Sequence, residues 1–392
     1  MYLSKNNATF ATKNMRMRDN IILCMVSWLF LLCPCSSWAQ GIGELFKQIM
    51  GPSDTTYVKP EKYNSYVHTY SFDTHQNYDF SLSEGKQRLK ISPSSSPSLG
   101  IGVGYSVIEL GYSKSMNSIR GKQQSKNSNF SFNIIGNRWG LQLYKRNVKG
   151  DAKIVGSEGF VQGVANDAED FSWDGSTLKD GKPISLKNES FDGFNSRETG
   201  ANFYYIFNFK HFSYKAAYKY STRQVRSAGS VITGLSYSDF KSDLVLTHAP
   251  FLDLDEYGHW IDGKQASFTY VPCITQEVNF CYRKLSANIG YSYNWVFAYN
   301  FVFNATLCPA LSLKWSKVTT YSLDNLQKQQ SVHHGDLNLD LIGRSSVQWN
   351  NGKWYAGAYG DFTTFHYKKP EVNMSQLFAE WRICMGMYFN LF

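Results

Sequence analysis

The sequence predicts an all-β protein: one antiparallel transmembrane β-barrel of the outer-membrane type, with about 14 strands in a range of 12–16. Three observations predict it. Apolar and polar residues alternate one by one over most of the chain, an export leader opens it, and 16% of residues are aromatic although the mean hydropathy is only −0.36. Successive strand side chains point to opposite faces. Alternation therefore gives each strand one apolar and one polar face, which a barrel turns to lipid and lumen. So many aromatics with only 18% charged residues exclude a disordered chain. A helical membrane protein would need several apolar runs of about 20 residues, and only one clear run exists, near the N-terminus.

That run is Ile21 to Leu32, preceded by Lys13, Arg16 and Arg18 and followed by Ser37-Trp38-Ala39. A basic start, a short apolar core and small residues at −3 and −1 make residues 1–39 a signal peptide, cut after Ala39. The run is too short to span a bilayer comfortably. Leu32 and Pro34 precede Cys33 and Cys35, where a lipid-attachment site needs a small residue. Residues 40–62 then form a short N-terminal periplasmic segment, with room for a short helix over 42–50, and residues 63–392 form the barrel. The full chain has a net charge of +9; the leader holds Lys5, Lys13, Arg16, Arg18 and Asp19, so the mature charge is 36 minus 30, or +6. That charge is spread along the chain, with no basic stripe for nucleic acid.

Phe130, Phe132 and Ile134 alternate with Asn129, Ser131 and Asn133, and Trp139, Leu141 and Leu143 with Gly140, Gln142 and Tyr144. Leu285, Ala287, Ile289 and Tyr291 alternate with Ser286, Asn288, Gly290 and Ser292. Leu377, Ala379, Trp381, Ile383 and Met385 share one side of the last segment. The pattern yields strands near 64–72, 98–105, 106–114, 128–136, 139–147, 199–208 and 211–221, then 226–238, 265–272, 285–293, 299–316, 335–349, 353–366 and 375–391. A soluble sandwich also alternates. Many of these segments run to about ten residues, longer than ordinary globular strands, and Trp139, Trp315, Trp349, Trp354 and Trp381 fall near segment ends as an interfacial girdle would.

Short turns at Tyr105-Ser106-Val107, Gly136-Asn137-Arg138, Asn208 to His211 and Asn350-Asn351-Gly352 contrast with long polar connections at 115–127, 148–198, 317–334 and 367–374. Short turns at one end and long loops at the other are what such a barrel requires. With fourteen strands, 239–264 falls on the short-turn, periplasmic side. The terminal Phe392 closes an amphipathic strand, as in the signal read by the barrel-assembly machinery. That machinery and outer-membrane lipid are the expected partners.

The stretch from Tyr204 to Gly234 carries Phe207-Asn208, Phe212-Ser213-Tyr214, Ala216-Ala217, Gln224 and Ser227-Ala228-Gly229-Ser230. It resembles the central motif of domain-of-unknown-function family 4421, found mostly in Bacteroidetes. Asp54-Thr55-Thr56-Tyr57-Val58 to Tyr63 and Gly290-Tyr291 before Trp295-Val296 are similar to it too. The resemblance covers most of 50–392. It implies an exported outer-membrane β protein and supplies no activity.

No G-x-S-x-G motif occurs. Ser227 and Ser230 have a sufficient explanation as small residues in a strand connection, so no catalytic residue and no enzyme is expected. Asp253, Asp255, Glu256, His259 and Asp262 gather carboxylates, but not at the spacing of a calcium loop; a solvated acidic loop is the simpler reading. His333-His334 with Asp336 is read as part of a polar loop. No metal and no cofactor is implied. Cys273 and Cys281 could close a small loop, although free thiols are the simpler reading. Trp173-Asp174-Gly175 could present an aromatic from an outer loop. The lumen-facing candidates are Lys215, Lys219, Asp340, Arg344, Glu380 and Arg382, with Arg146 and Lys314 pointing the same way. In a pore such charges set ion preference or bind a solute; in a closed lumen they form an internal ion-pair network. The expected function is a passive channel or solute-binding barrel in the outer membrane. The alternatives are a structural or assembly partner of an envelope complex with a plugged lumen, and an outer-membrane lipid-modifying enzyme.

Overall fold

A computed structural model describes residues 51–390 apart from 61, 83–86, 94–96, 120–125, 159–160, 165–181, 184, 186, 189, 220–221, 246–266, 271–274, 323–327 and 369–372. The leader, the 42–50 segment, the acidic loop at 253–262, Trp173-Asp174-Gly175 and Cys273 lie outside the described residues.

The barrel is built from twelve antiparallel strands. They are β2 (Ser65–Leu82), β4 (Ser98–Tyr105), β5 (Ile108–Ser115), β6 (Lys126–Ile135), β7 (Trp139–Glu158), β10 (Ser190–Ile206), β12 (Ala228–Val245), β14 (Thr275–Ala298), β15 (Phe301–Ser322), β16 (Lys328–Asn350), β17 (Trp354–Lys368) and β18 (Asn373–Phe389). They pair in that order, and β18 returns to β2 from Phe389↔Ser65 to Asn373↔Ser81, so the ring has no free edge. Around them stand β1 (Val58–Pro60), β3 (Gln87–Pro93), β8 (Val161–Val164), β9 (Lys182–Pro183), β11 (Thr222–Gln224) and β13 (Ser267–Tyr270), with two one-turn helices, α1 (Met116–Ile119) and α2 (Tyr214–Tyr218).

Two of the fourteen expected strands are not in the ring. Ser267–Tyr270 pairs with β8 in a separate three-stranded sheet. Of the expected strand over 211–221, the described residues 211–219 turn inward as a plug around α2. Ser213 Oγ caps α2 by accepting from the Ala216 N–H (3.1 Å), and all five helix residues are buried. Phe212, Tyr214 and Tyr218 do alternate with polar residues, but a segment buried on every side has no wet face for alternation to report. Removing this one strand reverses the direction of everything after it. The connection after β12 therefore lies at the long-loop end, not on the short-turn side, and the conflict at 239–264 disappears. His333 and Asp336 belong to β16 rather than to a loop. The strands also reach further into the expected loops than alternation indicated, to Glu158 in β7 and from Ser190 in β10.

The end at which β2 begins and β18 finishes has tight turns. Ser106 (φ 54), Asn300 (φ 68) and Gly352 (φ 90) supply the left-handed residues that close the β4–β5, β14–β15 and β16–β17 hairpins. At this end β1 pairs with β11, so the chain preceding the barrel is laid against the plug. Asp54 is tied there too: its backbone N–H donates to Lys210 O (2.9 Å) and its carboxylate lies 3.5 Å from His211 Nε2. Hydrogen bonds from Thr56 hold the Asp54 carboxyl below its usual pKa.

Strands β4, β5 and β6 are short. Beyond their far ends β3 takes their place between β2 (Tyr78↔Ile91) and β7 (Ile91↔Ile154), outside the ring of twelve. On the inner face of β4, Gly100, Gly102 and Gly104 lie opposite Tyr70, His68 and Tyr66 on β2, whose rings occupy the space a Cβ would need. This lets large side chains fill a narrow barrel, the device known as aromatic rescue of glycine.

Candidate functional site: a polar chamber inside the barrel

The inner faces divide the lumen into three layers. At the short-turn end lies the plug, where Phe212, Tyr214, Ala217 and Tyr218 pack against Ile206 and Ile232 of the wall. Polar contacts fix it in place. Tyr218 Oη donates to Asn304 Oδ1 (2.6 Å), Asn294 Nδ2 donates to Ser213 O (2.8 Å), and Lys219 Nζ donates to Glu109 Oε1 (2.9 Å). At the long-loop end Tyr78, Phe194, Phe240, Phe280 and Tyr282 form a buried apolar layer, with ring centroids of Tyr78 and Phe194 5.1 Å apart and of Phe240 and Tyr282 4.9 Å apart. Between the two is a chamber of about 220 Å³.

The chamber wall carries most of the charge. Glu380 on β18 accepts from Arg382 (2.6 Å) and from Arg146 on β7 (3.4 Å). Arg146 lies 3.8 Å from Glu198 of β10, which accepts from Tyr144 Oη (2.9 Å). Arg344 of β16 lies 3.4 Å from Asp361 of β17 and donates to Tyr214 Oη of the plug (3.1 Å). Behind the wall Asp340 accepts from Lys314 (3.0 Å) and Ser312 (2.6 Å), with Lys284 of β14 further off at 3.9 Å. Charges removed from bulk water interact strongly, so these groups are held in fixed pairs.

Of the six sequence candidates, Arg344, Glu380, Arg382 and Lys219 line the chamber. Asp340 is buried behind it. Lys215 is carried by α2 and not by a strand, and burial lowers its pKa to about 8. Sequence reasoning did not single out Glu109, Glu198, Lys284 or Asp361. Each sits on the inner parity of its strand, so extending the alternation rigorously would have found Glu109 and Glu198. Asp361 lies where the alternation is broken, between Trp354 and Thr364. Ser230 Oγ is committed to its turn, accepting from Asn208 N (2.9 Å) and donating to Val231 O (2.8 Å). Ser227 Oγ accepts from Val296 N (2.9 Å). Among the described residues Cys281, Cys308 and Cys384 form no disulfide, and the Cys384 thiol donates to Gly357 O (3.3 Å). Among the described residues no group of His, Cys, Asp and Glu is placed to hold a metal ion.

A closed ring with no free edge, an apolar exterior band and a polar, charged interior define an outer-membrane-type β-barrel. The chain belongs to the family described as "Domain of unknown function (DUF4421)", whose model matches residues 52–389. Among solved structures it is similar to the Escherichia coli outer membrane protease OmpT at 8% identity, covering 84% of this chain and 98% of that one, with a TM-score of 0.42. It is also similar to the Pseudomonas putida toluene transporter TodX, at 8% identity over 87% and 98% of the two chains with a TM-score of 0.31. A third is the Ralstonia pickettii toluene transporter TbuX, at 10% identity over 88% and 97% with a TM-score of 0.32. No curated protein matches the chain.

Proposed function

We propose that the protein is an outer-membrane solute barrel in a closed state. A small polar solute occupies the central chamber and exchanges when the plug between β10 and β12 moves. The observation that carries this reading is the chamber itself, a polar space of about 220 Å³ between an apolar layer and a plug. A lumen meant only to be filled would pack its middle as tightly as its ends. The plug packs against Ile206 and Ile232 and is fixed by polar contacts to the wall, but none of its described residues is part of a ring strand, so its displacement leaves the ring of strands intact. Outer-membrane lipid and the barrel-assembly machinery are its expected partners.

Single-channel conductance in planar bilayers tests the reading. The wild-type barrel is expected to be mostly silent, with rare openings. Glu109→Gln removes the carboxylate that holds Lys219, and loss of one partner of a buried pair costs about 3–5 kcal/mol. Openings should become frequent in that variant. A second reading, a permanently closed structural partner of an envelope complex, is favoured by the near balance of charge inside the barrel. It would be supported if neither protein conducts or takes up solute while both remain folded.

A further inference from the structure

The chamber has two unlike faces. On the side of β16, β17 and β18 its groups are ionic and already paired, Arg344 with Asp361 at 3.4 Å and Arg382 with Glu380 at 2.6 Å. Across from them runs a neutral row. The strand register sets Gln142 of β7 beside Asn202 of β10, and Asn202 beside Ser236 of β12. Ser236 is opposite Ser286 of β14, two residues from Asn288. Directly opposed residues of antiparallel strands turn their side chains to the same face, so the row points inward as a unit. Gln142, Asn202, Ser236 and Asn288 all line the chamber.

Most of the hydrogen-bonding capacity of this row is unused. Asn202 Nδ2 donates to Gln142 Oε1 (3.3 Å), which leaves Gln142 Nε2 as a donor and Asn202 Oδ1 as an acceptor. The Ser236 hydroxyl and the Asn288 side-chain amide make no hydrogen bond among the described residues. None of the four side chains is fully buried, so these groups are open to the chamber they line. The row therefore offers donors and acceptors side by side, all uncharged. A solute that only accepts or only donates would leave part of the row unmade, and a buried polar group left unmade costs about 1–3 kcal/mol. A hydroxyl group does both.

Two further features limit the occupant. On the plug side Tyr204 and Tyr214, with ring centroids 5.1 Å apart, give a flat aromatic surface on which the C–H face of a small ring can rest. The volume of about 220 Å³ is below the roughly 300–1,000 Å³ of sites for drug-sized ligands, so one small molecule fills it.

We infer that the chamber's ligand is a small neutral polyol, of monosaccharide size, held by Gln142, Asn202, Ser236 and Asn288. This rests on the reading that the chamber takes a solute, and it names the class. A charged solute would have to part the ion pairs of the opposite face to be matched, whereas a polyol needs none of them broken.

Isothermal titration calorimetry on the full-length barrel in detergent tests it. Xylose and glucose are the neutral probes, and succinate and putrescine are charged probes of opposite sign. Each is measured on the wild type and in a Lys219→Ala background that loosens the plug, after heat-modifiable gel mobility has shown the barrel folded. Xylose or glucose is expected to bind and neither charged probe to do so, with an affinity that added salt leaves unchanged, since salt screens charges and the ligand has none. Asn288→Leu keeps the shape of the side chain without its hydrogen bonds, and should weaken sugar binding by about tenfold, a difference of about 1.4 kcal/mol. Ser236→Ala should weaken it by a smaller factor. If succinate or putrescine binds better than both sugars, or if the two substitutions leave sugar affinity unchanged, the polyol assignment is wrong although the chamber takes a solute. If no probe binds even with the plug loosened, the solute-barrel reading falls with it.

Discussion

Within single strands the two ends of the barrel are built to opposite rules. From Ala228 to Ser238, β12 shows Val231, Leu235 and Tyr237 to the outside and Ser230, Ser236 and Ser238 to the lumen. From Asp239 onward the outside carries Asp239, Lys241 and Asp243, while Phe240 and Leu244 are buried within. Strand β14 inverts at the same level. Lys284, Ser286 and Asn288 face in and Leu285 and Ile289 face out, but further along Arg283 faces out and Phe280 and Tyr282 face in. Strand β10 does likewise, with exposed Phe203 low and exposed Arg197 beside buried Phe194 high.

The lower half is thus a membrane barrel, apolar toward lipid and wet inside. The upper half is a water-facing collar with an apolar core, organised as a soluble barrel would be. The difference teaches what the surroundings select. The backbone and its period of two are continuous through both halves, and only the identity of the solvent outside changes at about the level of Ser238. It also explains why the strands exceed the roughly 9–11 residues that a bilayer requires: β14, for example, is 24 residues long. The plug belongs to neither half. It is a piece of connecting chain folded into the lower lumen, where its aromatic side chains bring a small apolar core to the wet end.

The largest effect should come from placing the lower half's rule in the upper core. Phe240→Asp sets an unpaired carboxylate among Tyr78, Phe194 and Tyr282, and such burial costs upwards of about 3 kcal/mol. Ser236→Asp, which faces the polar chamber, should cost far less. Loss of heat-modifiable mobility with temperature compares them, and equal sensitivity would break the distinction between the two interiors.

The outer faces should give the next effect. Ile289→Lys puts a charge on the lipid face, where lysine near the bilayer midplane costs about 2–4 kcal/mol. Lys241→Ile on the collar should stay within about 0.5 kcal/mol. Unfolding in guanidinium from lipid bilayers measures both. Comparable values would mean that the boundary at Ser238 is not the membrane surface.

The smallest effect concerns the plug. Lys215 is held to a pKa of about 8 by burial, below the value of about 10.4 it has in an unfolded chain. Between these values the unfolded chain binds the extra proton, so stability rises with pH from 8 toward 10 and is flat below. Lys215→Met should remove that slope. Thermal melts from pH 7 to 10 on the two proteins show it by difference; parallel curves would mean that Lys215 titrates as an exposed lysine.

Much of the architecture was legible along the chain. Period-two alternation located all twelve ring strands because each has two different environments on its two faces. It failed where that condition failed. Phe212 to Tyr218 alternates but is buried on all sides, so a plug reads as a strand; Ser267–Tyr270 forms a sheet outside the ring. Strand β3 was missed because Leu89 and Ile91 give it too few alternating positions to register. The inversion at Ser238 shortened the expected strands, since the apolar face changes side there and the pattern read from the lower half stops matching.

The sequence by itself determined the fold class and the inner parity of Asp340, Arg344, Glu380 and Arg382 on their strands, because parity is a local property of an extended chain. It could not determine which charges meet. Arg146 and Glu380 are 234 positions apart and 3.4 Å from each other, and Lys219 reaches Glu109 across the lumen. Those meetings depend on ring closure, on strand register and on a connection that folds inward. Only the tertiary structure sets these, because each is fixed by the whole circuit of pairings and not by any one segment.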